Sequence, residues 1–383
     1  MNAPILVLNC GSSSIKFALY EADGSEVPRR ARWGGKIDQP PSRATFADLR
    51  NRVAAQLGGQ TLGAAVHRVV HGGARYSAPV MVDASVLADL KGYIPLAPLH
   101  QPFALEAIGI LLEEAPQLPQ VACFDTAFHR TLPLVEQLLP LPFKAWEQGV
   151  RRYGFHGLSY EYMSLALAER HGDAARGRTI VAHLGSGASL CAMQDLKSVA
   201  TTMGFSALDG LMMNTRCGSL DPGALLYFMQ VEKFGVDQVA HYLYHESGLK
   251  GVSGVSGDPQ ELLEIEGSHY GARAALALWV RRIVREIGAL TAVLGGLDML
   301  AFTAGIGEHS AELRRRICEA LGWLGLTLDD SRNRRNEAVI SSAEGRVLVA
   351  VEPTDEEWIA ASHAAALLNA SGRAKEATHE HAR

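Results

Sequence analysis

Apolar and polar positions alternate along this chain in two rhythms. Near the N-terminus ILVLN (5–9) is a continuous apolar run closed by a Gly/Ser turn, after which Ile15, Phe17 and Leu19 recur at every second position. An apolar strand, a small-residue tip and an alternating strand make a hairpin. The design returns at residues 179–199, TIVAHLGSGASLCAMQDLKSV, where aligning Asn9 with His183 sets CGSSS over LGSGAS. A second pair, QVACFDTAFHRT (120–131) and MLAFTAGIGEHS (299–310), aligns Phe124 with Phe302 at nearly the same offset. Two motif pairs at one offset predict a duplicated chain, each half opening with a hairpin and later presenting another strand end. Helical periodicity fills the gaps in DLRNRVAAQLG, FALEAIGILLEEA, SYEYMSLALAERHG, ALLYFMQVEKFG and residues 274–297. Strands alternating with helices imply α/β layers. PTDEEWIAASHAAALLNASG predicts a final helix, with Thr354 and Glu357 spaced as an S/T-x-x-E capping box.

Length and charge narrow the picture. At 383 residues the chain exceeds what one core serves, so two domains are expected. Net charge is −5, which gives no reason to expect nucleic acid as partner. Cys10, Cys123, Cys191, Cys217 and Cys318 are scattered without a C-x-x-C pair and read as reduced thiols in a cytoplasmic protein. The chain enters its first strand directly after MNAP, so no signal peptide is expected. Residues 274–297 carry Arg281, Arg282, Arg285 and Glu286, which suits an amphipathic helix and not a membrane span. Residues 371–383 read as a frayed polar tail.

Candidate chemistry gathers at strand ends. There is neither G-x-x-x-x-G-K-[ST] nor G-x-G-x-x-G after a strand. Three glycine-rich turns stand instead, at residues 11–14, 185–189 and 305–307, and small residues let backbone N–H groups approach phosphate oxygens. Lys16 follows the first turn closely enough to reach a phosphate. Arg68 in HRVVHGG and Arg216 in GLMMNTRCGSLDPG lie in glycine-rich, apolar-flanked segments, where a guanidinium commonly clamps an anion. Arg151 and Arg152 are weaker candidates of the same kind. His67 and His71 read as core or turn residues, whereas His100 and His156 stand in irregular segments that ask little of an imidazole. Asn9, Asp125 and Glu356 sit at strand ends or a helix start and offer oxygens to a magnesium ion that arrives with a nucleotide.

Nine stretches spread from residue 8 to residue 357 resemble the acetate kinase family, within the actin/Hsp70/sugar-kinase superfamily: LNCGSSSIKFAL, HRVVHGG, LAPLHQP, FDTAFH, RRYGFHGLSY, AHLGSGAS, TTMGFSALDGLMMNTRCGSLDPG, FTAGIGEHS and PTDEE. The resemblance implies two duplicated RNase-H-like, actin-like ATPase domains with a cleft between them. Their expected extents are 1–127, completed by 355–383, and 128–354. It implies reversible transfer of the ATP γ-phosphate to a short carboxylate, with Mg2+, in a homodimer without membrane partners. By motif, Asn9 and Glu356 become the magnesium residues, and Ser12, Ser14 and Lys16 phosphate contacts. Arg68 becomes the carboxylate clamp, Asp125 the catalytic acid, and His156 and Arg216 the stabilisers of the transferring phosphoryl group. Nucleotide contacts fall on His183, Leu184, Gly185, Ser186 and Gly187, on Asp258, and on Ala304, Gly305, Ile306, Gly307 and Glu308. The acyl pocket draws on Val70, Leu99, Phe155 and Ala207. An acid substrate is already ionised near neutral pH, so positioning and positive charge are what it needs, which makes Asp125 an organiser and not an obligatory base.

Several positions depart from the family pattern. Ser186 replaces an Asn, Gln260 an Arg near the adenine, Asn214 a Gly and Ala200 an acidic residue, and the stretch from Tyr20 to Arg68 is short. Ala207 stands for a proline, and losing the ring should widen the pocket towards propionate, one methylene being worth about 1–3 kcal/mol of discrimination. Three readings stand: an acyl kinase for acetate or propionate, a sugar or polyol kinase using Asp125 as a true base, and a non-catalytic ATP switch, which needs no acceptor clamp.

Overall fold

The run ILVL is apolar at every position because its strand is covered on both faces. Ile5 and Val7 enter one buried cluster and Leu6 and Leu8 another. The structure, a computed structural model, describes residues 3–381. It divides into two units: one formed by the chain up to Arg130, Gly157–Tyr162 and the chain from Asp355, the other by Thr131–His156 and Met163–Thr354.

In the first unit the strands are β1 (Ile5–Cys10), β2 (Ile15–Tyr20), β3 (Trp33–Ile37), β4 (Ala64–Val69), β5 (Val80–Met81) and β6 (Gln120–Phe124), in the order β3-β2-β1-β4-β6-β5. β1 pairs antiparallel with β2 and parallel with β4, which pairs parallel with β6. One face is covered by Leu158 and by Ile359, Ala360, Ala361, Ala364 and Ala365 of the last helix, Glu356–His381. The helices Arg43–Leu57 and Gln101–Glu114 send Phe46, Leu49, Val53, Ala107 and Ile110 to the other.

In the second unit the strands are β7 (Arg178–Leu184), β8 (Ala188–Gln194), β9 (Lys197–Thr201), β10 (Met299–Thr303) and β11 (Leu348–Val351), in the order β11-β10-β7-β8-β9. Read outward from the hairpin, both sheets run third, second, first, fourth, fifth strand, with β5 an added edge. The expected duplication is therefore present, and Asn9 and His183 hold equivalent places near the ends of β1 and β7. The second motif pair does not correspond. β6 is the fifth strand of its sheet and β10 the fourth, so β4 matches β10 and β6 matches β11. The shared Phe reflected two buried parallel strands, which are uniformly apolar whatever their place in a sheet.

The predicted helices appear at Arg43–Leu57, Gln101–Glu114, Gly157–His171, Pro222–Gln230 and Tyr270–Leu294. The last of these buries Ala272, Ala275, Leu276, Trp279, Ile283, Ile287 and Leu290, spaced by three and four, and ends on Gly295 at φ 71. Three local expectations change. Residues 305–307 are not a turn but lie in a short helix, Ala304–His309, entered through Ala304 at φ 64. At the final helix the Asp355 carboxylate accepts from Trp358 N at 2.8 Å, one residue later than the predicted cap at Thr354. That helix runs to His381, so the tail expected from residue 371 is helical backbone that far, and residues 382 and 383 lie outside the description. Among the described residues no helix is long and apolar enough to cross a membrane.

Candidate active site

In the first unit the chemistry sits where β1, β4 and β6 end together. Leu8 pairs with His67 across β1 and β4, so Asn9 and Arg68 leave neighbouring strands side by side. Across β1 and β2, Asn9 faces Lys16. The tip between them is tight, Gly11 N donating to Ser14 O at 2.9 Å, with Ser12 exposed and Ser14 half-buried. Asp125, one residue past β6, is buried, and both its oxygens accept from Arg68: Nε to Oδ1 at 2.9 Å and Nη2 to Oδ2 at 2.7 Å. The remaining arm, Nη1, lies 3.0 Å from Glu356 Oε2. One guanidinium thus holds two carboxylates. Burial works against the charge on Arg68, but Asp125 and then Glu356 hold its pKa above the ordinary arginine value. Burial, opposed by Arg68 and reinforced by Asp125 and Glu357, pushes the Glu356 carboxyl well above the usual range.

A divalent cation fits this donor set. Glu356 is crowded by two other carboxylates against Arg68 and Lys16, a local excess of negative charge. Among the described residues no group of three His, Cys, Asp or Glu side chains forms a metal cage.

In the second unit the residues singled out from distant stretches also meet. His156 adopts φ 59, ψ 28 just before the helix Gly157–His171, a left-handed backbone uncommon outside glycine. Its ring stacks on His183 with centroids 4.1 Å apart, and its Nδ1 lies 2.8 Å from Ser189 Oγ. Between β7 and β8, Gly185 N donates to Gly187 O at 3.0 Å; Leu184 is buried and Ser186 exposed at the tip. A Cβ on Gly187 would come within 2.7 Å of Arg216 Nη2 and 3.2 Å of His156 Nε2, so only glycine lets loop, guanidinium and imidazole pack together. Arg216 Nη1 donates to Ala207 O at 2.6 Å. Burial lowers the pKa of this guanidinium, the nearby Tyr244 phenol partly offsets that, and no described carboxylate pairs with it. A half-buried cation without a described acid partner, beside a glycine loop, suits an anion.

Other predicted positions fall variously. Ala304 is left-handed at the entrance to its short helix, where Gly305 is exposed, Ile306 half-buried and Gly307 buried. Glu308 Oε1 accepts from Thr354 N at 3.3 Å. Asp258 caps the helix Pro259–Ile265 through Gln260 N. Of the acyl-pocket set, Val70 is half-buried and Leu99 exposed in the first unit, whereas Phe155 and Ala207 are buried in the second. Arg152 donates to the carbonyls of Thr201, Thr202 and Met203, and Arg151 stacks over Trp146; protein groups occupy both.

Sequence reasoning missed Arg314. It is 1% exposed and donates to Gly307 O at 2.7 Å, Glu308 O at 2.8 Å, Asn333 and Asn336, pinning the short helix from below. In ELRRRIC it is the central member of no visible motif, and its only signal is an arginine at the buried spacing of Leu313 and Ile317.

Comparison with known proteins agrees with this assembly. A family model described as the Acetokinase family matches residues 37–362. The acetate kinase of Rhodopseudomonas palustris is 47% identical over 391 aligned residues, covering 95% of this chain and 98% of that protein. That of Rhizobium meliloti is 45% identical, covering 96% and 98%. Among solved structures, Porphyromonas gingivalis acetate kinase superposes with a TM-score of 0.83 at 34% identity, covering 95% of this chain and 100% of that one. A propionate kinase from Francisella tularensis gives 0.84 at 33%, covering 94% and 98%. The duplicated RNase-H-like architecture, the family model and these near full-length likenesses lead to one conclusion: the chain belongs to the acetokinase family.

Proposed function

We propose that the protein phosphorylates acetate with ATP, reversibly, to give acetyl phosphate and ADP. The observation that carries this is Arg216: a half-buried guanidinium with no carboxylate partner among the described residues, against a glycine loop and His156. A carboxylate oxygen of acetate attacks the γ-phosphorus, the bond to the ADP oxygen breaks, and its electron pair leaves with ADP. No proton has to be removed, because the acid is ionised at neutral pH. The demand is therefore for charge and alignment. Arg216 and His156 answer it at the transferring phosphoryl group, with residues 183–187, Asp258 and residues 304–308 holding the nucleotide. Lys16 with Ser12 and Ser14 serves the phosphates, and Arg68, steadied by Asp125, faces the acceptor carboxylate. Asn9 and Glu356 would hold Mg2+, which supplies further neutralisation of phosphate charge.

Asp125 gives both oxygens to Arg68, a poor arrangement for a base and so against a sugar kinase. Propionate is the second acceptor, because Ala207 contributes only a methyl group where a ring would narrow the acyl pocket. Five free cysteines suit the reducing cytoplasm. The helix Pro222–Gln230, which buries none of its residues, suits a homodimer.

Hydroxylamine trapping tests the reading. Ferric hydroxamate should form from acetate, then propionate, and less from butyrate, and Arg216→Ala should lower kcat about 100- to 1000-fold. ATP turnover with no hydroxamate from any carboxylate would end this reading.

A further inference from the structure

An anion-binding guanidinium is useful only if its own backbone is fixed, and the loop that carries Arg216 is closed at its base by Ser219 N donating to Gly210 O at 2.8 Å and Gly210 N to Ser219 Oγ at 3.1 Å. Within it, Met213 N donates to Arg216 O at 3.0 Å. Nearer Arg216, residues 213–217 are also bonded by one neighbouring segment. Cys217 N donates to Leu243 O at 3.1 Å and Thr215 Oγ1 to Tyr244 O at 2.8 Å. In return, Ser247 N donates to Thr215 O at 3.0 Å, Leu249 N to Met213 O at 2.9 Å and Lys250 N to Asn214 O at 2.9 Å. Two bonds run from the loop to the segment and three run back, and together they bracket Arg216 on both sides.

Gly248 is where the two segments come closest. Its φ is 63°, and a Cβ there would lie 2.2 Å from Met213 O, 2.8 Å from Arg216 O and 3.0 Å from Arg216 N. Two of these three atoms are the backbone of Arg216 itself, so any side chain must push the guanidinium's own support. Gly254, at the other end of the same helix Gly248–Ser253, has φ 74° and nothing within 4 Å of its Cβ position. The two glycines share a positive φ and differ in what they touch.

We infer that residues 243–250 brace the Arg216 loop and that Gly248 is a positioning residue for phosphoryl transfer. This rests on the reading of Arg216 as the phosphoryl-group cation. Relieving a 2.2 Å contact moves backbone by roughly an ångström, a displacement that can cost about 100-fold in rate. Because the brace acts through the group that serves the transferring phosphoryl, the cost falls on kcat more than on either KM.

The test is a double-mutant cycle with kcat and both KM values read from the hydroxamate assay and folding from thermal midpoints. Gly248→Ala should lower kcat about 10- to 100-fold with KM changed less than about threefold, while Gly254→Ala stays within about twofold of wild type. In an Arg216→Ala background, Gly248→Ala should cost almost nothing more. Equal losses in both backgrounds, or Gly248→Ala matching Gly254→Ala, would overturn the brace. Wild-type kcat in Arg216→Ala alone would instead remove Arg216 from the reaction, and the brace with it. Should Gly248→Ala not fold, Thr215→Val deletes one brace bond and enters the same cycle: loss only where Arg216 is present supports the inference, and equal loss refutes it.

Discussion

Arg68 and Arg216 bring the same group into opposite surroundings. Arg68 is saturated by acids of its own unit, Asp125 on one edge and Glu356 on the remaining arm. Arg216 has a carbonyl and a glycine loop but no acid. In the first case the cation is aimed by its partners, and removing a partner should spoil the aim. Asp125→Asn leaves one acceptor oxygen and turns an amide N–H against the guanidinium, so the bidentate geometry goes. With about 2–3 kcal/mol for a charge-assisted pair, kcat/KM for acetate should fall about 30- to 150-fold. The acid limb of the pH–rate profile should stay where it is in wild type. Unchanged acetate KM together with loss of that limb would make Asp125 a base after all. At this scale the sequence was most legible where a charged residue interrupts an apolar, glycine-rich segment, as both arginines do. It was silent on Arg314, whose partners are backbone carbonyls and asparagines brought in by folding.

Strand β4 carries side chains of opposite character to its two faces: Arg68 to the charged cluster, His67 into the core. His67 is 1% exposed, and its Nε2 donates to Gln120 Oε1 at 2.8 Å. Burial pushes its pKa down to about 4, and does the same to His71, whose Nδ1 accepts from Gly73 N at 2.8 Å. Both stay neutral when folded, whereas in the unfolded chain they take up protons near pH 6.5. At these two sites the unfolded state therefore binds more protons as pH falls, and their contribution to stability drops from about pH 6.5 down to about pH 4, while Glu356, held well above the usual carboxylate range, takes up its proton in the fold and works the other way. Each histidine costs about 1.4 kcal/mol per pH unit in that window. His67→Gln, which keeps a donor for Gln120, should make the urea midpoint fall less steeply between pH 6.5 and 4.5 than in wild type. An unaltered slope would place the titration elsewhere. The core assignment of both histidines was readable from their neighbours, VVHGG giving no polar periphery. Element boundaries were less so: residues 305–307 resemble a hairpin tip, yet the bonds from Arg314 to Gly307 O and Glu308 O hold them in a helix. Composition within five residues cannot report a partner seven positions on.

For the whole chain, duplication was visible where the repeat unit is a hairpin, because turn chemistry and alternation recur together at β1–β2 and β7–β8. It failed for the parallel strands, where every buried strand looks alike and only the sheet order separates β4 from β6. One segment bears on the proposed homodimer. The helix Pro222–Gln230 was legible as apolar and helical, yet none of its residues is buried: Leu226 is 56% exposed and Tyr227 52%, with Val231 at 58% and Val236 at 72% beside it. Soluble monomers rarely leave more than a few hundred Å2 of contiguous apolar surface open. A second copy is the economical cover, since an isologous contact needs one self-complementary patch. Sedimentation velocity should therefore show a dimer at micromolar concentration. Leu226→Glu with Val236→Glu places four carboxylates in such an interface, two from each copy. At even 1 kcal/mol apiece, the dissociation constant rises about 1000-fold and the variant sediments as a folded monomer. A wild-type protein that sediments as a monomer at every concentration would mean this surface awaits something other than its own copy.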